Sequence, residues 1–299
     1  MRDRLLRGLI RLIARLPLTW VSSLGAAIGR LLHRLDTREA RTARVNIALC
    51  FPELTAEEQR QYARKSVVES GRSMAEMIKI WADDRTDWYA LVEDEGFAQA
   101  AQSRLAKGRG LIFALPHIGN WEMMAYPLAR VTSTTALYRP PRAQFMDDIM
   151  RKGRARPGIK PVPTDRQGLK ALHAALQRGE AIVILPDQVP KAEGASGVIA
   201  PFFGHPAMTM TLISRLARRH GSPVMFCYSV FDPTIGRYRV SFFDGDADIA
   251  ADSAELAATA LNRDVERCAR EFPTAYQWTY RRFEIPGQRR SSPYKQHNR

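Results

Sequence analysis

The sequence predicts a mixed α/β fold: a mainly parallel central sheet flanked by helices, preceded by an N-terminal interfacial helix. Three observations point there. Short unbroken apolar runs, "GLIFAL", "TTALY", "EAIVIL" and "PVMFCYSVF", recur from about residue 108 and read as buried strands. A helix-period stretch, "RQGLKALHAALQRG", lies between two of them, and strand–helix–strand alternation implies parallel neighbours. Finally, 299 residues at 45% hydrophobic and 25% charged are enough to bury one large core.

Taken in order, residues 1–35 form the first expected element. "LLRGLIRLIARLPLTWVSSLGAAIGRLLHRL" is strongly apolar, yet Arg7, Arg11 and Arg15 recur every fourth residue. Its longest uncharged run, Leu16 to Gly29, is 14 residues, short of the roughly 20 that a spanning helix needs. Arginines on one stripe with Leu, Ile and Trp20 elsewhere fit a helix lying in the headgroup region of an anionic membrane. The same pattern also suits an amphipathic helix packed on the domain.

Residues 36–285 read as a single α/β domain. Thr55 and Glu58 make a capping box, and Tyr62, Val67, Met74, Met77, Ile78 and Trp81 follow at helical spacing as expected core. The helix over "RQGLKALHAALQRG" should stop at Gly179. "VMFCYSVFDPTIGRYRVSFFD" reads as an antiparallel hairpin turning at Pro-Thr-Ile-Gly, and "SAELAATALNRDVERCAREF" as a late helix. Residues 286–299 are polar and basic and are expected to be a mobile tail.

Charge narrows the partners. Lys+Arg 45 against Asp+Glu 31 gives +14, and residues 1–45 carry ten arginines against three acids, half of that excess. The excess suits either a basic surface that keeps the protein soluble or a polyanionic partner: nucleic acid, anionic lipid or an acidic carrier protein. No nucleic-acid module is recognisable, so nucleic acid is not expected. Cys50, Cys227 and Cys268 lie far apart, which argues against a disulfide framework or a cysteine zinc site.

The stretch "IFALPHIGNWEMM" carries the candidate chemistry. His117 and Glu122 stand five apart, a spacing that 31 acids in 299 residues produce often by chance. Position raises its value, because it follows a buried strand, where α/β sheets place their ligand sites. A histidine can take a proton from a hydroxyl if a carboxylate fixes its tautomer, the expected role of Glu122. Gly119 would let backbone approach a reacting carbonyl, Asn120 would cap the next helix, and amides there would face an oxyanion. There is no His-Glu-x-x-His, no Gly-x-Ser-x-Gly elbow and no P-loop, so neither a metal nor a serine nucleophile is expected.

"LPHIGNWE" resembles the signature of the lysophospholipid/lipid A late acyltransferase family. "RVNIALCFPEL", "YRPP", "LPDQ", "PFFG" and "QWTYRRFE" resemble further segments of that family, in its order, across about residues 44–284. The resemblance implies a fold like that of the glycerolipid acyltransferases. It implies transfer of an acyl group from acyl carrier protein or coenzyme A to a lipid hydroxyl, without metal or redox cofactor. The implied location is the cytoplasmic face of a bacterial inner membrane.

Residue by residue, the resemblance makes His117 the general base and Glu122 its partner. Arg139, Arg154 and Arg166 would contact phosphates or the oxyanion, and Asp187 would reach the site from another strand end. Exposed salt bridges for the arginines and a turn role for Asp187 are the plainer alternatives. The apolar residues of "FFGHPAMTMTLISRLARR" could line an acyl groove or simply be core, and His205 is expected to be structural. Another lipid acceptor, or a non-catalytic basic binding protein, would fit the same composition.

Overall fold

The computed structural model describes residues 2–141, 143–190, 197–288 and 292–295. The expected single N-terminal helix is in fact two, α1 (Arg2–Arg15) and α2 (Leu18–Arg34), broken at Pro17. Proline disfavours helix in the residue before it and lacks the amide to continue one. Trp20, Leu24, Ile28 and Leu31 face solvent along one side of α2, and Leu9 and Leu12 do so on α1. Among the described residues, no helix is long and apolar enough to cross a membrane.

Helix α3 (Arg38–Cys50) leads to the long α4 (Ala56–Ala82), which starts at the expected capping box. Glu58 N donates to Thr55 Oγ1 at 3.3 Å, and Thr55 N donates to Glu58 Oε2 at 2.8 Å. The inner side of α2 presses on α4 through glycines. A Cβ on Gly25 would stand 2.6 Å from the Gly71 carbonyl oxygen, and one on Gly29 would stand 2.7 Å from Val68 Cα. Only bare backbone fits this seam.

The central sheet has seven strands. In chain order they are β1 (Val92–Glu93), β2 (Leu111–Ala114), β3 (Thr134–Tyr138), β4 (Ile159–Pro163), β5 (Ala181–Ile184), β8 (Val224–Asp232) and β9 (Arg237–Asp244). Their spatial order is β1-β9-β8-β2-β5-β3-β4. Only the β8–β9 hairpin is antiparallel; all the other pairs run parallel. Helices α5 (Phe97–Leu105), α6 (Ala125–Val131), α7 (Gln144–Ala155), α8 (Arg166–Gln177), α9 (Leu212–His220) and α10 (Ala254–Glu271) connect or cover these strands. A separate hairpin pairs β6 (Gly197–Phe202) with β7 (His205–Met210).

Strand β2 shows why its run is apolar throughout. Ile112 and Ala114 enter one core, with Ile213, Leu216 and Leu261, while Leu111 and Phe113 enter the other, with Phe97 and Leu128. A central strand buried on both faces has no polar side to alternate. The segment "FFGHPAMTMTLISRLARR" contributes Phe202, Ala207, Ile213 and Leu216 to the first core, so it packs the fold instead of lining an open groove. His205 Nε2 bonds the Leu49 carbonyl at 3.0 Å.

The C-terminal segment is partly anchored. Tyr294 is buried, its hydroxyl donating to Asn46 Oδ1 at 2.6 Å and accepting from Phe283 N at 3.0 Å. Within the expected mobile tail of residues 286–299, Tyr294 is thus packed against the domain, while residues 289–291 and 296–299 lie outside the described residues.

Candidate active site

Two neighbouring strands build the site by running out together. β2 and β5 pair in parallel up to Ala114↔Ile184, and each then continues Leu-Pro: Leu115-Pro116-His117 and Leu185-Pro186-Asp187. Leu115 N makes a last ladder bond to Ile184 O at 3.0 Å before the prolines end the pairing. Equal overhangs from aligned strands bring His117 and Asp187 side by side.

The contact is two-pronged. Asp187 Oδ2 accepts from His117 N at 2.9 Å, and Asp187 Oδ1 lies 2.7 Å from His117 Nδ1. Burial pushes the Asp187 carboxyl up, but the charge and hydrogen bonds of His117 outweigh it and hold the carboxyl below its ordinary value. An ionised carboxylate only accepts, so Nδ1 carries the proton and Nε2 keeps the lone pair. Gln188 Nε2 stands 3.1 Å from that nitrogen and also donates to Gln277 Oε1 at 3.1 Å. Trp121 meets the ring edge-on, with centroids 4.7 Å apart.

Glu122, the expected partner of His117, bonds Arg154 in this structure. It is buried and takes a two-pronged bond from Arg154, Nε donating to Oε2 at 2.9 Å and the Nη2 donor contacting Oε1. Burial works against ionisation of Glu122; the charge and hydrogen bonds of Arg154 prevail and hold its carboxyl below the usual range. Glu122 follows His117 on the same chain turn, but the 3-10 turn Trp121–Met124 aims it at α7.

The amides that lead into this turn, those of Gly119 and Asn120, bond within the protein. Gly119 N donates to Ala275 O at 3.1 Å, and Asn120 N donates to Ser229 O at 3.3 Å. Gly119 has φ +54°, and a Cβ there would run into the Ser229 carbonyl oxygen, so its glycine serves a strand-to-loop approach. Asn120 precedes the 3-10 turn without a side-chain cap; its Nδ2 donates to Glu76 Oε2 at 3.1 Å. Glu76, buried on α4, also accepts from Tyr238 at 2.7 Å and Ser22 at 2.5 Å.

The structure thus gathers His117, Asp187, Gly119 and Asn120, with Glu122 on the turn that follows and Arg154 reaching it from α7. It leaves Arg139, just past β3, and Arg166, opening α8, exposed. Sequence reasoning missed Gln188, Gln277 and Glu76 as parts of the site. The twin "LPH" and "LPD" ends were the one signal that could have paired His117 with Asp187.

An apolar cavity of about 310 Å³ opens beside this loop. Val21, Leu24 and Ile28 of α2 and Met74 and Ile78 of α4 line it, and Gly119, Trp121 and Gln277 border it on the side of His117. Among the described residues, no three His, Cys, Asp or Glu side chains are placed to hold a metal ion.

Residues 3–284 match the family described as bacterial lipid A biosynthesis acyltransferase. The chain is 28% identical to a lipid A biosynthesis lauroyltransferase of Escherichia coli, over 93% of this chain and 89% of that protein. It is 27% identical to a lipid A biosynthesis palmitoleoyltransferase of the same organism, covering 96% and 92%. A lipid A biosynthesis acyltransferase of Haemophilus influenzae is 23% identical, covering 89% and 82%. The chain belongs to the bacterial lipid A biosynthesis acyltransferase family and is an acyl-transferring enzyme.

Proposed function

We propose that this family member is a late acyltransferase, moving a fatty acyl group from a thioester of acyl carrier protein or coenzyme A to a hydroxyl of a lipid A precursor. The observation that carries the reading is the His117–Asp187 pair, on a loop whose Gly119 and Trp121 border an apolar cavity. His117 Nε2 takes the proton of the acceptor hydroxyl as its oxygen attacks the thioester carbon. Asp187 holds the tautomer and offsets the imidazolium charge as it forms. Collapse expels the thiolate, which receives the proton back from Nε2. The acyl chain lies between α2 and α4, where the cavity offers hydrocarbon-lined walls. No metal or redox cofactor enters this scheme.

Glu122 and Arg154 then act as a brace for the turn that carries His117. Exposed Arg139 and Arg166 are suited to acceptor phosphates, because a guanidinium meets phosphate oxygens with two parallel donors. The outward stripe of Trp20, Leu24, Ile28 and Leu31 faces the acyl region of an anionic bilayer, with arginines of α1 and α2 at the headgroups. On this reading the enzyme is monotopic and works on the cytoplasmic side of the inner membrane, where thioester donors are made.

The test is transfer of labelled acyl groups from acyl carrier protein to a lipid A precursor by wild type and His117→Ala. Loss of transfer in a folded His117→Ala protein is expected. Equal transfer by both ends the assignment of His117, and labelling of a different lipid alone ends that of the acceptor.

A further inference from the structure

The base and its partner account for proton transfer; the charge that forms on the reacting carbonyl oxygen needs a donor of its own. The amides of Gly119 and Asn120 are bonded to Ala275 and Ser229. One side-chain donor does stand at the reacting nitrogen. Gln188 Nε2 is 3.1 Å from His117 Nε2, in the place that an acceptor hydroxyl must take.

Gln188 is held there from several sides. Its amide donates to Gln277 Oε1 at 3.1 Å, and Gln277 is itself fixed by a bond from its backbone N to His117 O at 3.0 Å. Next in the chain, Val189 N donates to the Tyr280 hydroxyl at 3.0 Å, and Asp187 before it is clamped to His117. Gln277 also borders the apolar cavity. The amide therefore stands at the base and is joined, through Gln277, to the border of the cavity.

We infer that Gln188 is a catalytic residue: its side-chain amide occupies the acceptor's place at rest and donates to the carbonyl oxygen during reaction. This rests on His117 being the base. When the hydroxyl displaces Gln188 from Nε2, one N–H is released while the other keeps its hold on Gln277. As the hydroxyl oxygen bonds the thioester carbon and its proton passes to Nε2, the C=O π pair moves to oxygen and accepts the freed N–H. Collapse re-forms C=O, breaks C–S, and the sulfur takes the pair and the proton from Nε2. A neutral amide suits this role, since it stabilises the oxyanion without quenching the charge of the base.

Gln188→Glu keeps the size and removes the donor; Gln188→Leu removes both polar atoms. Each is to be compared with wild type and His117→Ala for kcat, for KM of acyl carrier thioester and lipid A precursor, and for thermal unfolding. The inference expects kcat to fall about 100- to 1,000-fold in both, with KM values within about two-fold and unchanged melting. A Gln188→Glu enzyme with wild-type or higher kcat makes the amide a mere resting-state cap and overturns the inference. A loss wholly in KM overturns it too. If His117→Ala still transfers, the base assignment fails first; if that variant is dead and Gln188→Glu is not, only the role of Gln188 fails.

Discussion

Two buried carboxylates flank the loop after β2, and they are solvated in opposite ways. Glu122 has a permanent counter-charge: Arg154 binds both its oxygens. Asp187 instead faces His117, which bonds it through both ring and backbone nitrogens. Both acids are shielded from water and held below the usual carboxylate range, Glu122 chiefly by Arg154 and Asp187 chiefly by His117. Under the proposed mechanism the Asp187 charge is in place before the imidazolium forms beside it. On that reading Glu122 braces the fold and Asp187 serves the reaction.

Asp187→Asn offers the largest way to sharpen this contrast. It leaves the shape but lets the amide favour the wrong histidine tautomer, and kcat is expected to fall by about 10⁴-fold, by analogy with serine-protease triads. Steady-state transfer assays should show donor KM nearly unchanged. A loss confined to KM would make Asp187 a binding group and dissolve the distinction.

Arg154→Met comes next and should strike stability instead. It strands a buried carboxylate, at a cost of about 3–5 kcal/mol, whereas Glu122→Met with Arg154→Leu should recover most of it. Denaturant titration of the three proteins measures this. The same pair has a pH signature. Glu122 is held below its ordinary 4.5 in the folded state, so its contribution is full above pH 4.5 and drains away as pH falls through the lowered value. Glu122→Gln should flatten that acid limb of the stability curve; an unchanged limb would remove Glu122 from the account.

The smallest effects are expected outside the pair. Arg139→Ala and Arg166→Ala alter exposed side chains, so stability should stay within about 0.5 kcal/mol. Their mark should be a higher KM for the phosphorylated acceptor, most visible at low salt, where exposed charges are least screened. A fall in kcat alone would bring either arginine into the reaction itself.

Much of the fold was legible because its strongest signals are local. The runs that form β2, β3, β5 and β8, the capping box at Thr55 and the late helix α10 each follow from neighbouring residues. Strand β4, "IKPVP", was not legible, since two prolines speak against a strand; it survives at the sheet's edge, where missing donors matter least. The site divides the same way. His117 was found by its place after a strand, but its partner comes from 70 residues away, across a strand pairing. Spacing along the chain pointed to Glu122, because proximity in sequence says nothing of which way a 3-10 turn aims a side chain.

The glycine seam between α2 and α4 has a consequence for scale. Gly25, Gly29 and Gly71 let the two helix backbones lie against each other with no side chain between them. Glu76 on α4, in turn, bonds Ser22 of α2 and Asn120 of the loop that carries His117. The outer rim of α2 is thereby tied through one buried carboxylate to the loop of His117. If the proposed mechanism holds, the depth at which α2 rests on a surface also sets the reach of His117 towards an acceptor hydroxyl.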